Sequence, residues 1–142
     1  MLIKLCRLHP DAIIPTYAHI NDAGADLYSR ENIKLCPNQR YAVPTGIAVE
    51  IPIGYEGQIR SRSGLAINKG LKVLNSPGTI DAGYRGEIKV ILINLGWDMV
   101  ELPQGSRIAQ LIISPVIKAS FIEVDLLSDS QRENQGFGSS GI

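Results

Sequence analysis

The chain has 142 residues, with 14 Lys and Arg against 14 Asp and Glu, and 44% of its residues are hydrophobic. That length suits one domain whose core is large enough to need neither disulfide nor metal, and the hydrophobic fraction excludes wholesale disorder. The zero net charge excludes a strongly basic nucleic-acid binder or an acidic tail protein, while 14 Gly and 8 Pro cut the chain too finely for a helical bundle.

In chain order, Ile3 and Leu5 alternate with Lys4 and Cys6, which predicts a first short strand. The same N-terminal stretch lacks the apolar run and small-residue cleavage site of a signal peptide. No run of about 18 apolar residues is present, so no membrane span is expected and the cytoplasm is the expected location. Cys6 and Cys36 lie far apart in sequence and read as buried free thiols rather than a disulfide scaffold. Ile33 and Leu35 alternate around Lys34, and Ile47, Val49 and Ile51 share one face of a strand over 45–51. A short helix is expected over about 64–69, capped by Ser63 and ended by Lys69-Gly70. Glu87–Asn94 (EIKVILIN) is β-branched and nearly all apolar, as a strand buried on both sides would be. Gly105–Ser114 and Phe121–Asp125 complete the predicted strands.

Turn signals at Pro37-Asn38, Pro52–Gly54, Pro77-Gly78, Leu95-Gly96 and Pro103–Gly105 punctuate these strands, as in a β-sandwich or barrel. The expected fold is therefore all-β, with one short helix. From Ser128 the composition turns polar and glycine-rich. The expected organisation is one β-rich domain over 1–127 followed by a flexible arm over 128–142.

Several chemistries lack their residues. His9 and His19 are the only imidazoles, and no C-x-x-C or H-x-E occurs, which argues against a zinc site and a zinc deaminase. Neither G-x-S-x-G nor a Walker A sequence is present. Three loop segments remain. Arg60–Gly64 sets two arginines and a serine at a helix start, where free N–H groups and fork-shaped guanidinium donors suit phosphate oxygens. The plain alternative is a capping serine between solvated arginines. Asn75–Gly86 gathers turn formers around Asp81, in what reads as a hairpin whose backbone lines a pocket. A carboxylate is a weak base, so Asp81 would depend on positioning to deprotonate a water; otherwise it is a turn residue. Gly136–Gly141 matches G-x-G-x-x-G literally, but no strand precedes it and no helix follows, so a dinucleotide site is excluded. With Arg132 and Phe137, that tail reads either as an arm closing over a phosphorylated nucleotide or as a plain disordered end.

Together these segments resemble the trimeric dUTP pyrophosphatase (dUTPase) family. Five motifs occur in the family's order: Ala23–Leu27, Arg62–Ala66, Asn75–Gly86, Gly105–Leu111, and Arg132 with Gly136–Gly141. The resemblance implies a jelly-roll β fold, a homotrimer with shared active sites, and Mg2+ as cofactor. The implied reaction is hydrolysis of dUTP to dUMP and pyrophosphate, which limits uracil in DNA and supplies dUMP for dTTP synthesis. By motif match Asp81 activates the attacking water at the α-phosphorus. Arg62, Ser63, Gly64, Gln110, Arg132 and Ser139 resemble the phosphate contacts. Asn75, Gly78, Ile80, Tyr84 and Phe137 resemble the uracil and deoxyribose contacts, Tyr84 refusing a 2′-hydroxyl. Asp26 resembles the carboxylate that reaches the metal through water. Nucleic-acid and membrane partners are not expected. A dCTP deaminase of the same fold and a non-catalytic nucleotide-sensing or interaction trimer are the alternatives.

Two departures from the family pattern stand out. Glu133 and Gln135 replace arm glycines, which predicts weaker or slower arm ordering. Ser61 replaces the usual Pro before Arg-Ser-Gly, which predicts a slightly looser turn.

Overall fold

The computed structural model describes residues 1–131 and 133–136. Among these the chain forms eleven short strands and one helix. The strands are β1 (Lys4–Arg7), β2 (Ala25–Tyr28), β3 (Ile33–Leu35), β4 (Arg40–Pro44), β5 (Ile47–Glu50), β6 (Tyr55–Arg60), β7 (Leu71–Val73), β8 (Gly78–Ile80), β9 (Lys89–Asn94), β10 (Val100–Leu102) and β11 (Arg107–Pro115), with α1 (Ser63–Lys69) between β6 and β7. They pair antiparallel throughout, in sheets ordered β1-β5, β10-β3, β2-β11-β6-β8 and β4-β9-β7. No helix among the described residues is long and apolar enough to cross a membrane.

One core joins the sheets. Leu27, Leu35, Val43, Ile47, Leu71, Ile88, Val90, Leu92 and Ile108 are all buried within it. The period-2 reading of 47–51 holds, since Ile47, Val49 and Ile51 all face inward. Asp26, Ser29, Thr45 and Asn94 are buried polar residues, and Asn94 is the most deeply buried of them. Its amide nitrogen donates to the carbonyls of Leu35 and Asp98 at 2.9 and 2.8 Å, and its oxygen accepts the Gly96 amide at 2.8 Å. A buried amide satisfied on both ends ties β3, β9 and the following turn together.

Several expectations need correction. β9 is buried on one face only: Val90 and Leu92 point into the core, while Ile91 looks into a surface cavity. Phe121–Asp125 alternates as a strand should, yet forms none, because among the described residues no strand lies beside it; Phe121, Ile122 and Val124 are exposed. Both cysteines are exposed rather than buried, Cys6 on a strand paired only with β5 and Cys36 just past the end of β3. Helix α1 starts at Ser63 itself, with Arg62 at the N-cap and no side-chain cap. Its C-terminal end is as expected: Gly70 sits at φ 65° and donates its amide to the Ala66 carbonyl. Residues 75–86 do not close a paired hairpin. β7 joins β9 in one sheet and β8 joins β6 in another, so the segment crosses between sheets through the cis Ser76–Pro77 bond.

Candidate active site

Two hollows, the first largely apolar and the second polar, collect most of the motif residues. The first, of about 310 Å³, is walled by Asn75, Gly78, Ile80, Asp81 and Tyr84, with Ile59, Val73 and Ile91 as apolar floor. The crossing segment builds it. Gly78 packs closely there: a Cβ would stand 3.1 Å from the Asn75 side-chain nitrogen and 3.4 Å from Ile59. The turn carrying Asp81 is closed by the Tyr84 amide donating to the Asp81 carbonyl at 3.0 Å. Arg85 folds back onto this turn, donating to the carbonyls of Ala82 and Tyr84 at 2.6 and 2.9 Å, so it braces the loop. The Asp81 side chain is exposed at the mouth, and no hydrogen bond to it is found among the described residues. The Tyr84 ring lies over Gly86, where a Cβ would come 2.5 Å from the phenol oxygen.

The second hollow, of about 240 Å³, is walled by Asp22, Gly24, Asp26, Arg62, Ser63, Gly64 and Gln110. Register aligns its side chains: Asp26 of β2, Gln110 of β11 and Arg60 of β6 are cross-strand partners in a row. A register shift between Arg107 and Ala109 gives β11 one extra residue there, so Ile108 and Ala109 are both buried. The same shift brings Arg107 back to β2. Asp26, 7% exposed, is therefore gripped by two guanidinium groups, Arg62 Nε at 3.1 Å from Oδ1 and Arg107 Nη1 at 3.4 Å from Oδ2. Arg62 also donates to the Arg107 carbonyl at 3.2 Å. Gln110 donates to the Ser61 carbonyl at 3.0 Å and lies close over Gly24, where a Cβ would stand 2.5 Å from its side-chain oxygen. An anion entering here meets the Arg62 guanidinium and the Gln110 side-chain amide, beside the Asp22 and Asp26 carboxylates.

Arg107, Ser61 and Glu87 are contributors that the motif reading left without a role. Arg107 and Ser61 stand inside or beside matched segments, but their contacts depend on register. Ser61 ties its turn to β7: its hydroxyl oxygen accepts the buried Val73 amide at 2.9 Å, a bond proline cannot make. Arg132, Phe137 and Ser139 lie outside the described residues. The two hollows share no lining residue. The structure thus gathers the expected nucleoside contacts in one place and the expected phosphate contacts in another. Among the described residues no group of three or more His, Cys, Asp or Glu converges as a metal cage.

The antiparallel all-β scaffold is that of the jelly-roll enzymes, and comparison with known proteins places the chain among them. The dUTPase family matches residues 10–141. A deoxyuridine 5'-triphosphate nucleotidohydrolase of Clostridium tetani is 51% identical over 139 residues, covering 98% of this chain and 96% of the relative. The dUTPase of Staphylococcus bacteriophage 80alpha, solved with dUPNHPP, superposes with a TM-score of 0.93 at 30% identity, covering 99% of both chains. A mutant dUTPase from phage phi11 of S. aureus, described with a structural Mg(II) ion, superposes with a TM-score of 0.84 at 26% identity, covering 91% of this chain and 100% of that one. The chain belongs to the dUTPase family. These relatives support the dUTP diphosphatase reading over the dCTP deaminase alternative.

Proposed function

We propose that this chain hydrolyses dUTP to dUMP and pyrophosphate. The observation that carries the reading is the placement of Asp81 and Tyr84 in one hollow and of Arg62, Ser63, Gly64 and Gln110 in another, within a family match spanning residues 10–141. Asn75 and the backbone around Gly78 and Ile80 read uracil, and Tyr84 packs on deoxyribose. Arg62, Ser63, Gly64 and Gln110 hold phosphate oxygens. Asp81 takes a proton from a water whose oxygen bonds to the α-phosphorus. The bond from that phosphorus to its bridging oxygen breaks, and pyrophosphate leaves with the electron pair. Uncatalysed phosphate hydrolysis is extremely slow, so positioning and charge stabilisation must supply the acceleration.

The donor set fits a Mg2+ carried by the triphosphate rather than one caged by protein, since the hollow holds two carboxylates, Asp22 and Asp26, one of them already accepting the His19 amide and the other paired with guanidinium groups. Such an ion neutralises phosphate charge when bound, and Asp26 reaches its water shell. Arg132, Phe137 and Ser139, in an arm over 128–142, close the site against bulk water.

The site is completed by a homotrimer. Two features support this: the hollows have no wall in common, and the chain after β11 exposes Ile117, Phe121, Ile122, Leu126 and Leu127 without a partner. An apolar groove beside β1, formed by Ile3, Leu5, Ile14, Val49 and Ile113, is a matching surface on a neighbouring copy. The reaction serves the cytoplasmic nucleotide pool. Phosphate release through a coupled pyrophosphatase, with dUTP against dTTP and UTP, tests the activity. Turnover confined to dUTP and lost in Asp81→Ala is expected; an inactive wild type, or full turnover in Asp81→Ala, overturns the reading. Sedimentation is expected to give a trimer, and a stable active monomer overturns the shared site.

A further inference from the structure

Glu87 lies at the rim of the nucleoside hollow, just past the motif that ends at Gly86. Its side chain is only 21% exposed. One carboxylate oxygen accepts the Gly46 amide at 2.8 Å, and the other stands 3.9 Å from Lys89 Nζ. Its backbone carbonyl accepts the Tyr84 hydroxyl at 2.9 Å. The same residue therefore holds the tip of the Tyr84 ring and is itself held by the turn between β4 and β5. That turn is a firm anchor. Gly46 sits at φ 73°, and a Cβ there would approach Ala12 and Arg30 carbon atoms at 2.9 Å. Thr45 donates its hydroxyl to the Ile88 carbonyl at 2.6 Å, and the Ile88 amide donates to the Ile47 carbonyl at 2.9 Å.

We propose that Glu87 is a positioning residue for sugar selection: by clamping its own peptide to Gly46, it holds the Tyr84 ring where a 2′-hydroxyl cannot fit. This rests on the reading of the hollow as a deoxyuridine pocket. Tyr84 is 44% exposed and belongs to a surface turn, so packing alone does not hold it. Steric refusal of one hydroxyl requires a wall that does not yield, because a ring free to shift admits the ribose. The hydrogen bond from the phenol to the Glu87 carbonyl limits such displacement only while that carbonyl is fixed.

The test is steady-state kcat and KM for dUTP and UTP in four variants. Glu87→Ala is expected to lower the ratio of kcat/KM for dUTP over UTP about tenfold, with kcat for dUTP changing about twofold or less. Glu87→Gln, whose amide oxygen still accepts the Gly46 amide, is expected to hold the ratio within about threefold of wild type. Tyr84→Phe cuts the same linkage from the other side, so adding Glu87→Ala to it should lower the ratio no further. An unchanged ratio in folded Glu87→Ala, a Gln variant as poor as Ala, or full additivity with Tyr84→Phe overturns the proposal. If Glu87→Ala does not fold, hydrogen exchange of the Gly46 amide in the wild-type protein decides: slow exchange is expected, and rapid exchange overturns the clamp. A wild type that fails to hydrolyse dUTP strikes the proposed function instead, because the Gly46 exchange is read without substrate.

Discussion

Asp26 and Arg62 are joined by a contact of 3.1 Å between a carboxylate that is almost buried and a guanidinium that faces the anion pocket. The pair fixes the Arg62 guanidinium for the phosphate role proposed for it, and Arg107 closes the other side of the carboxylate. Removing a buried charged partner costs several kcal/mol, but Arg62 and Arg107 retain access to water, with 28% and 49% of their side chains exposed. Asp26→Asn is therefore expected to cost about 1–2 kcal/mol of stability. It is also expected to lower kcat/KM for dUTP at least about tenfold, since Arg62 loses its anchor. Urea unfolding and steady-state kinetics check both, and wild-type kinetics would show that Arg62 is positioned by something else.

Gly24 acts through contact with Gln110. A Cβ at residue 24 would stand 2.5 Å from the Gln110 side-chain oxygen and 3.0 Å from its Cβ. Gly24→Ala must displace the Gln110 side chain, and is expected to weaken its bond to the Ser61 carbonyl. The expected result is a KM for dUTP raised about tenfold with a smaller change in kcat, because Asp81 lies in the other hollow. A loss confined to kcat would contradict the assignment of Gln110 to substrate binding.

Ser61 tests whether the unusual residue before Arg-Ser-Gly compensates for the missing proline. Ser61→Pro and Ser61→Ala both strip the Val73 amide of its acceptor, and Val73 is 1% exposed. An unsatisfied buried donor costs about 1–3 kcal/mol. For a chain of this size that is a fall in Tm of several degrees, roughly 3–15 °C. Scanning calorimetry of both variants gives the answer; a proline variant more stable than wild type would mean that chain stiffening outweighs the hydrogen bond.

Glu133 occupies the arm position where glycine is usual, and its φ is 45°. The side chain accepts the Ser130 amide at 3.2 Å, while the Glu133 amide donates to the Ser130 hydroxyl at 3.0 Å. A left-handed backbone at a residue with a Cβ costs about 1–2 kcal/mol, and the carboxylate adds a charge near the expected polyphosphate. Glu133→Gly with Gln135→Gly is expected to lower the KM for dUTP about threefold through easier arm closure. An unchanged KM would show that the local turn at Ser130 does not resist closure.

Much of the architecture was legible along the chain, because alternation at 47–51 and the Gly-Pro punctuation act locally. The end of α1 was equally legible, since Gly70 needs no partner to announce it. The misread strand and hairpin share a cause, which is that a strand exists only beside another strand. Phe121–Asp125 has the right pattern and no neighbour, whereas β6, interrupted by Gly57, forms between β8 and β11. In the candidate site the matched motifs supplied Asp26, Arg62 and Gln110 as separate residues. Their mutual arrangement depends on a single extra residue in β11 that rotates Arg107 toward a strand 81 positions away. No spacing rule contains that information. Ser61 and Glu87 act through one backbone amide each, a choice visible only after the sheets are assembled.

The absence of a common wall between the two hollows has a genetic consequence. If the halves of one working site come from different copies of the chain, defects in the two halves are complementary rather than additive. A chain carrying Asp81→Ala and a chain carrying Arg62→Ala, each inactive alone, would restore activity when unfolded together and refolded as mixed trimers. With random assembly from equal amounts, about a quarter of the sites would draw both halves intact. Two crippled alleles in one cell would then sustain a function that neither supports by itself.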